Sequence, residues 1–116
     1  MIIKSLKSFK YAFLGICWLF KSENNAKIHA IATVSAIALS VFFRITAQEW
    51  RWIMLSIALV WISETLNTAI EKIVNLASPG FNTEAGKIKD LGAGAVLLAA
   101  IFSLICGTCI FLPYLI

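Results

Sequence analysis

Three long apolar stretches alternate with short polar segments along the chain. They cover about residues 26–45, 50–76 and 87–112. Each is close to or above the roughly 20 apolar residues that a helix needs to cross a bilayer. The pattern predicts three membrane-spanning helices, with Trp50 and Trp52 as an aromatic anchor at one membrane interface.

The segment before the first span, about residues 2–21, has a helical apolar pattern of its own. Lysines and small residues cluster on a different face from the apolar stripe, which is typical of a helix lying in the membrane interface. A polar link at residues 22–27 should follow, and residues 44–49 should form the turn between the first two spans. Ser78-Pro79-Gly80 should break the second span and lead into a polar loop to about Ala85, and Pro113 should end the third span. The apolar stripe consists of Leu6, Phe9, Phe13, Ile16 and Phe20.

The composition supports an all-α integral membrane protein that forms a single domain over residues 1–116. Hydrophobic residues make up 60% of the chain and charged residues only 14%, whereas soluble domains are about half apolar and a quarter charged. The net charge of +4 does not indicate nucleic-acid binding, because eight of the ten Lys and Arg residues fall on one side of a three-span topology. We therefore expect a cytoplasmic N-terminus and a C-terminus outside. The three cysteines are an odd number and do not suggest a disulfide framework.

A polar stripe interrupts the second span. Glu64, Asn67, Glu71 and Asn75 follow one another at steps of three and four residues and share one helix face. A carboxylate at membrane depth is costly unless it is paired, hydrated or bound to a cation. The oxygen-rich stripe suits Mg²⁺, although pairing of Glu64 with a lysine on another helix is an alternative.

Further polar residues are expected at the same inner boundary: Glu23 before the first span, and Lys89 and Asp90 at the start of the third. Phosphoryl transfer needs such groups, namely metal ligands, a cation for the phosphates and a base for the attacking hydroxyl. A proton-coupled transporter would need Glu64 but not these three residues, and a non-catalytic assembly protein would need only a polar stripe that locks helices together. His29 is interpreted as an interface histidine, and the glycines that open the third span should permit close helix contact.

Two sequence elements resemble the prokaryotic diacylglycerol kinase family, which includes undecaprenol kinases. One is Glu64-Thr-Leu-Asn67-Thr-Ala-Ile-Glu71-Lys-Ile-Val-Asn75, and the other begins at Lys89-Asp90-Leu-Gly-Ala-Gly. The N-terminal part is also similar, with Tyr11-Ala-Phe-Leu-Gly15 and Glu23-Asn-Asn-Ala-Lys-Ile-His29. The resemblance extends over nearly the whole chain.

The resemblance implies a homotrimer in a bacterial cytoplasmic membrane, with active sites shared between subunits. It implies ATP- and Mg²⁺-dependent phosphorylation of a lipid alcohol, for which we favour diacylglycerol, with undecaprenol as the alternative. By position, Glu64 resembles the catalytic base and Asn67 an active-site polar contact, while Glu23 and Glu71 resemble metal ligands. The residues that resemble the nucleotide site are Tyr11, Lys89, Asp90 and, less closely because a lysine stands in place of an arginine, Lys4. Asn75 departs from the aspartate of many members, which puts a metal or nucleotide contact there in doubt.

Overall fold

The computed structural model describes residues 2–22, 24–80 and 82–116. Within these ranges the chain forms α-helices joined by short connections. Three of the helices are long and apolar enough to cross a membrane, which confirms the predicted number of spans. The helices are α1 (Ile2–Ser22), α2 (Asn24–Phe43), α3 (Ala47–Ala77) and α4 (Thr83–Leu115).

The α2–α3 connection is tighter than the polar sequence from Arg44 to Glu49 suggested. Arg44 has a φ of 51°, its N–H bonds Val41 O, and the N–H of Ile45 bonds Ser40 O. This pair of bonds closes α2 with a Schellman turn, in which an L-residue other than glycine costs about 1–2 kcal/mol. The N-cap of α3 is Thr46, whose hydroxyl accepts from Glu49 N at 3.1 Å while Glu49 Oε1 accepts from Thr46 N at 2.9 Å.

Three predicted boundaries are wrong. The polar link at residues 22–27 is too long, because α2 already begins at Asn24. The loop after Pro79 ends earlier than residue 85, because Asn82 Oδ1 accepts from the N–H groups of Glu84 and Ala85 and caps α4. Pro113 does not close α4, which continues to Leu115. A proline in the last turn removes one backbone donor but leaves the following N–H of Ile116 free to bond Leu112 O.

α3 is the central helix: it packs along α4 more extensively than along α2, while α1 makes few contacts with α2 and α3. An apolar cluster of Ile45, Ile53 and Ile110 closes the end of the bundle at the α2–α3 turn. The whole chain is a thin slab, 52 × 43 × 21 Å. Most large apolar side chains are exposed, as expected for helices that contact lipid or further subunits.

The length of α3 decides the depth of its polar residues. Its 31 residues extend over about 46 Å, longer than the hydrocarbon core of about 30 Å. A crossing that begins at Trp50 therefore uses about 20 residues and ends near Ile70. On this estimate Glu71 lies at the end of the crossing, and Glu64 lies about 10 Å deeper in the span.

Candidate functional site

Among the described residues, the most deeply buried ionisable side chain is Glu64, which is 1% exposed. Its Oε2 lies 3.1 Å from Nε2 of His29 on α2. Its Oε1 is buried and has no hydrogen-bond partner among the described residues. The predicted alternative of a lysine partner for Glu64 is therefore wrong: the partner is a histidine. One carboxylate oxygen is held, and the other remains available as an acceptor.

A second polar contact braces the same helix pair one turn away. Trp61 Nε1 donates to Thr33 Oγ1 at 2.9 Å, and Thr33 Oγ1 in turn donates to the backbone oxygen of His29 at 2.7 Å. The ring of His29 also meets the ring of Trp61 edge-on, with centroids 6.2 Å apart. The hydrogen bond between Trp61 and Thr33 therefore ties α2 to α3 one helical turn away from His29.

Asn67 and Glu71 form the next part of the polar stripe. Asn67 is 8% exposed, and its Nδ2 donates to Glu71 Oε1 at 3.2 Å. Its Oδ1 is buried without a partner among the described residues and faces Gly92 on α4, where an added Cβ would overlap it. Gly92 is thus needed for the close approach of α4 to Asn67, as its position suggested. The same expectation for Gly94 is not met, since nothing lies within 4 Å of a Cβ built there.

Lys89 joins the stripe at the Asn75 end. Its Nζ donates to Asn75 Oδ1 at 2.6 Å, across the α3–α4 pair. The structure thus brings a cation next to the stripe and pairs it with Asn75. An amide suffices for this contact because its oxygen accepts from an ammonium without adding a charge.

Other predicted site residues do not converge within one chain. Asp90, Tyr11 and Lys4 are exposed and have no hydrogen bond or ion pair to another described side chain. Glu23 lies outside the described residues. In one chain, therefore, the site has an α2–α3–α4 wall and lacks the parts expected from α1.

The donors that are present suit a hard cation. Glu71 is a half-buried carboxylate, and the side chain that contacts it, Asn67, has an amide oxygen without a partner among the described residues. Oxygen ligands of this kind are those Mg²⁺ prefers. No group of three His, Cys, Asp or Glu side chains that could hold a metal occurs in the parts of the chain that the structure describes. A complete ion site would therefore need further ligands, such as phosphate oxygens, waters or another carboxylate.

His29 is the residue that sequence reasoning undervalued. Its sequence context shows no second ligand at helical spacing, and only the crossing of α2 over α3 reveals Glu64 as its partner. The pairing joins residues 35 positions apart, so no local pattern could have indicated it. The stripe from Glu64 to Asn75, by contrast, is visible from spacing alone.

Comparisons with known proteins identify related sequences. Residues 10–111 match the sequence model of the family described as prokaryotic diacylglycerol kinase. The chain is 40% identical over 109 residues to the diacylglycerol kinase of Synechocystis sp., covering 93% of this chain and 62% of that protein's length. It is 38% identical over 109 residues to the undecaprenol kinase of Bacillus subtilis, covering 94% and 89% of the two chains. It is 29% identical over 100 residues to the diacylglycerol kinase of Escherichia coli, covering 86% and 82%.

Proposed function

Because the chain belongs to the prokaryotic diacylglycerol kinase family and is therefore a lipid kinase, we propose that it transfers the γ-phosphate of ATP to diacylglycerol, forming phosphatidic acid. The lipid hydroxyl oxygen forms a bond to the γ-phosphorus while the bond to the β–γ bridging oxygen breaks, and ADP leaves. The hydroxyl proton passes to a base on the protein. One relative that is 40% identical is named a diacylglycerol kinase, although this chain spans only 62% of its length.

The free oxygen of Glu64 is the observation that carries the proposal. A carboxylate inside a membrane span is energetically costly and marks a functional site. Oε1 of Glu64 has no hydrogen-bond partner among the described residues. That oxygen is the acceptor for the hydroxyl proton. Asn67 lies one helical turn from Glu64 and donates a hydrogen bond to Glu71. Glu64 and Asn67 therefore both act at the reacting end of the lipid.

Nucleotide and metal are assigned to the cytoplasmic end of the stripe. Glu71, together with Glu23, would hold Mg²⁺, which neutralises charge on the phosphates when it is bound. Lys89, oriented by Asn75, provides a fixed positive charge for a phosphate oxygen. Asp90 completes this end of the site, and Tyr11 and Lys4 of α1 line the nucleotide pocket.

Several of these residues need a neighbouring subunit. Tyr11, Lys4 and Asp90 are exposed and unpaired among the described residues of one chain, and the chain is only 21 Å thick in its shortest dimension. A homotrimer with sites shared between subunits would bring α1 of one chain to the α3–α4 wall of another. We assign the protein to a bacterial cytoplasmic membrane. Eight of the ten Lys and Arg residues fall on one side of the three-span topology, and positive charge favours the cytoplasmic side, so the N-terminus is inside and the C-terminus outside.

The test is a kinase assay on the purified protein in lipid–detergent micelles with radiolabelled ATP, Mg²⁺ and either dioleoylglycerol or undecaprenol. Labelled phosphatidic acid formed faster than undecaprenyl phosphate supports the proposal. A preference for undecaprenol would change the acceptor and keep the kinase, whereas no labelled lipid from either would refute it.

A matched pair of carboxylate variants tests the base. Glu64→Gln should lower kcat by about 100- to 10,000-fold, because the amide cannot accept the proton. Glu84→Gln is the control, since Glu84 is exposed in the first turn of α4 and, among the described residues, its side chain pairs with Lys87 alone, at 3.3 Å. Equal turnover by the two variants would remove Glu64 from the mechanism.

A further inference from the structure

The contact between His29 and Glu64 affects the orientation of the Glu64 carboxylate. Glu64 is nearly inaccessible, and its two oxygens are in different situations: Oε2 faces Nε2 of His29 at 3.1 Å, while Oε1 has no partner in the described chain. A side-chain carboxylate with no contact can rotate about its terminal torsion, which is broad and two-fold. A donor on one oxygen removes that freedom and leaves the other oxygen in a defined direction.

The imidazole is itself well placed to act as that donor. The ring of Trp61 lies edge-on to the imidazole, with the centroids 6.2 Å apart. His29 also lines a groove of about 300 Å³ between α2, α3 and α4, and its side chain is 17% exposed. A histidine ring nitrogen facing a carboxylate carries the proton, so the Nε2–H tautomer is selected by Glu64.

We propose that His29 is a positioning residue for the kinase reaction: its Nε2–H donates to Glu64 Oε2 and so presents Glu64 Oε1 to the lipid hydroxyl. This inference rests on the proposed role of Glu64 as the base. His29 transfers no proton in the reaction and does not touch the nucleotide. It therefore acts on the rate of transfer and leaves ATP binding unaltered.

Kinetics of three variants separate positioning from simple packing. His29→Phe keeps an aromatic ring and removes the donor, and we expect kcat to fall about 100-fold with an unchanged KM for ATP, because a small misplacement of a catalytic group has an effect of this size. His29→Gln retains an N–H that can reach the carboxylate and should recover most of kcat. Thr33→Val is the packing control: it removes the neighbouring α2–α3 hydrogen bond without touching Glu64, and its kcat should stay within about twofold, as for a change outside the reacting groups.

Two kinetic results would overturn the inference. One is a His29→Phe enzyme with wild-type kcat on dioleoylglycerol or undecaprenol, whichever the wild type phosphorylates. The other is equal loss of kcat in His29→Phe, His29→Gln and Thr33→Val, which would show that only helix packing is at stake. Absence of lipid phosphorylation by the wild type would instead refute the proposed function.

A spectroscopic test does not depend on turnover. The sequence contains one histidine, so a sample with ¹⁵N-labelled histidine and a purification tag that lacks histidine gives one pair of imidazole signals. We expect Nε2 to be protonated in the wild type, with its resonance shifted in Glu64→Leu, where the acceptor is gone. Thr33→Val should leave the signal near its wild-type position. An unprotonated Nε2 in the wild type, or identical spectra in wild type and Glu64→Leu, would refute the contact.

Discussion

Replacing Gly92 by alanine tests the close contact between the Asn67 side chain and α4. A Cβ built on Gly92 would overlap Asn67 Oδ1 and lie 3.4 Å from Asn67 Cγ and 3.6 Å from Ile70 Cδ1. Because Asn67 is buried and its Nδ2 holds Glu71, the amide cannot move aside without loss of that bond. The substitution should therefore disturb the polar stripe without changing a polar residue.

The size of the effect follows from two opposing contributions. An alanine in place of a helical glycine stabilises a helix by about 0.5–1 kcal/mol, whereas overpacking a close contact costs about 1–3 kcal/mol. Gly94→Ala is the matched control. Gly94 lies on the same helix, less than one turn from Gly92, and a Cβ built on it has nothing within 4 Å. The helix contribution cancels between the two, so Gly92→Ala should be about 1–3 kcal/mol less stable than Gly94→Ala.

The assay is unfolding in detergent micelles by titrated denaturant, followed by the fluorescence of the four tryptophans, together with kcat. A double-mutant cycle sharpens it: in an Asn67→Ala background the overlapping oxygen is absent, so Gly92→Ala should lose most of its destabilising effect. The coupling free energy should be about 1–3 kcal/mol. Equal stability and equal kcat for Gly92→Ala and Gly94→Ala would refute the close α3–α4 approach at Asn67.

Three further predictions concern Mg²⁺ binding, the end of the bundle at the α2–α3 turn, and the membrane topology. Glu71→Gln should raise the Mg²⁺ concentration for half-maximal activity by about tenfold or more, measured by titration after chelation; an unchanged midpoint would exclude Glu71 as a ligand. Tyr114→Phe removes the hydrogen bond to Glu49 at the α2–α3 turn end of the bundle and should lower stability by at most about 1 kcal/mol with kcat unaffected; a large loss of kcat would contradict the separation of that end from the site. In a cysteine-free background, Ile116→Cys should react with an impermeant maleimide added to intact cells, and labelling only after permeabilisation would reverse the proposed orientation.

Local chemistry accounts for the elements of this protein. Apolar runs of sufficient length have one stable solution in a bilayer, a helix that satisfies its own backbone, so the three spans were predictable from the sequence. The capping pair at Thr46 and Glu49 is a local signal as well. The errors fell at helix ends, where the outcome depends on which backbone groups find a partner: α2 starts at Asn24 and α4 passes Pro113.

The candidate site divides in the same way. Spacing alone places Glu64, Asn67, Glu71 and Asn75 on one face, because a helix has a fixed period. Which partner each of them finds depends on how helices distant in sequence cross. Glu64 pairs with His29 because α2 packs on α3. Asn67 contacts Gly92 because α4 packs on α3. Neither contact follows from the period of a single helix.

The sequence by itself therefore determined that the chain spans a membrane, and that a line of carboxylates and amides lies within and below one span. Only the tertiary structure decided which oxygen of Glu64 is held and which is free. The physical reason is that hydrophobic burial in lipid is set by composition, whereas the direction of a polar side chain is set by its hydrogen-bond partner. That partner comes from another helix.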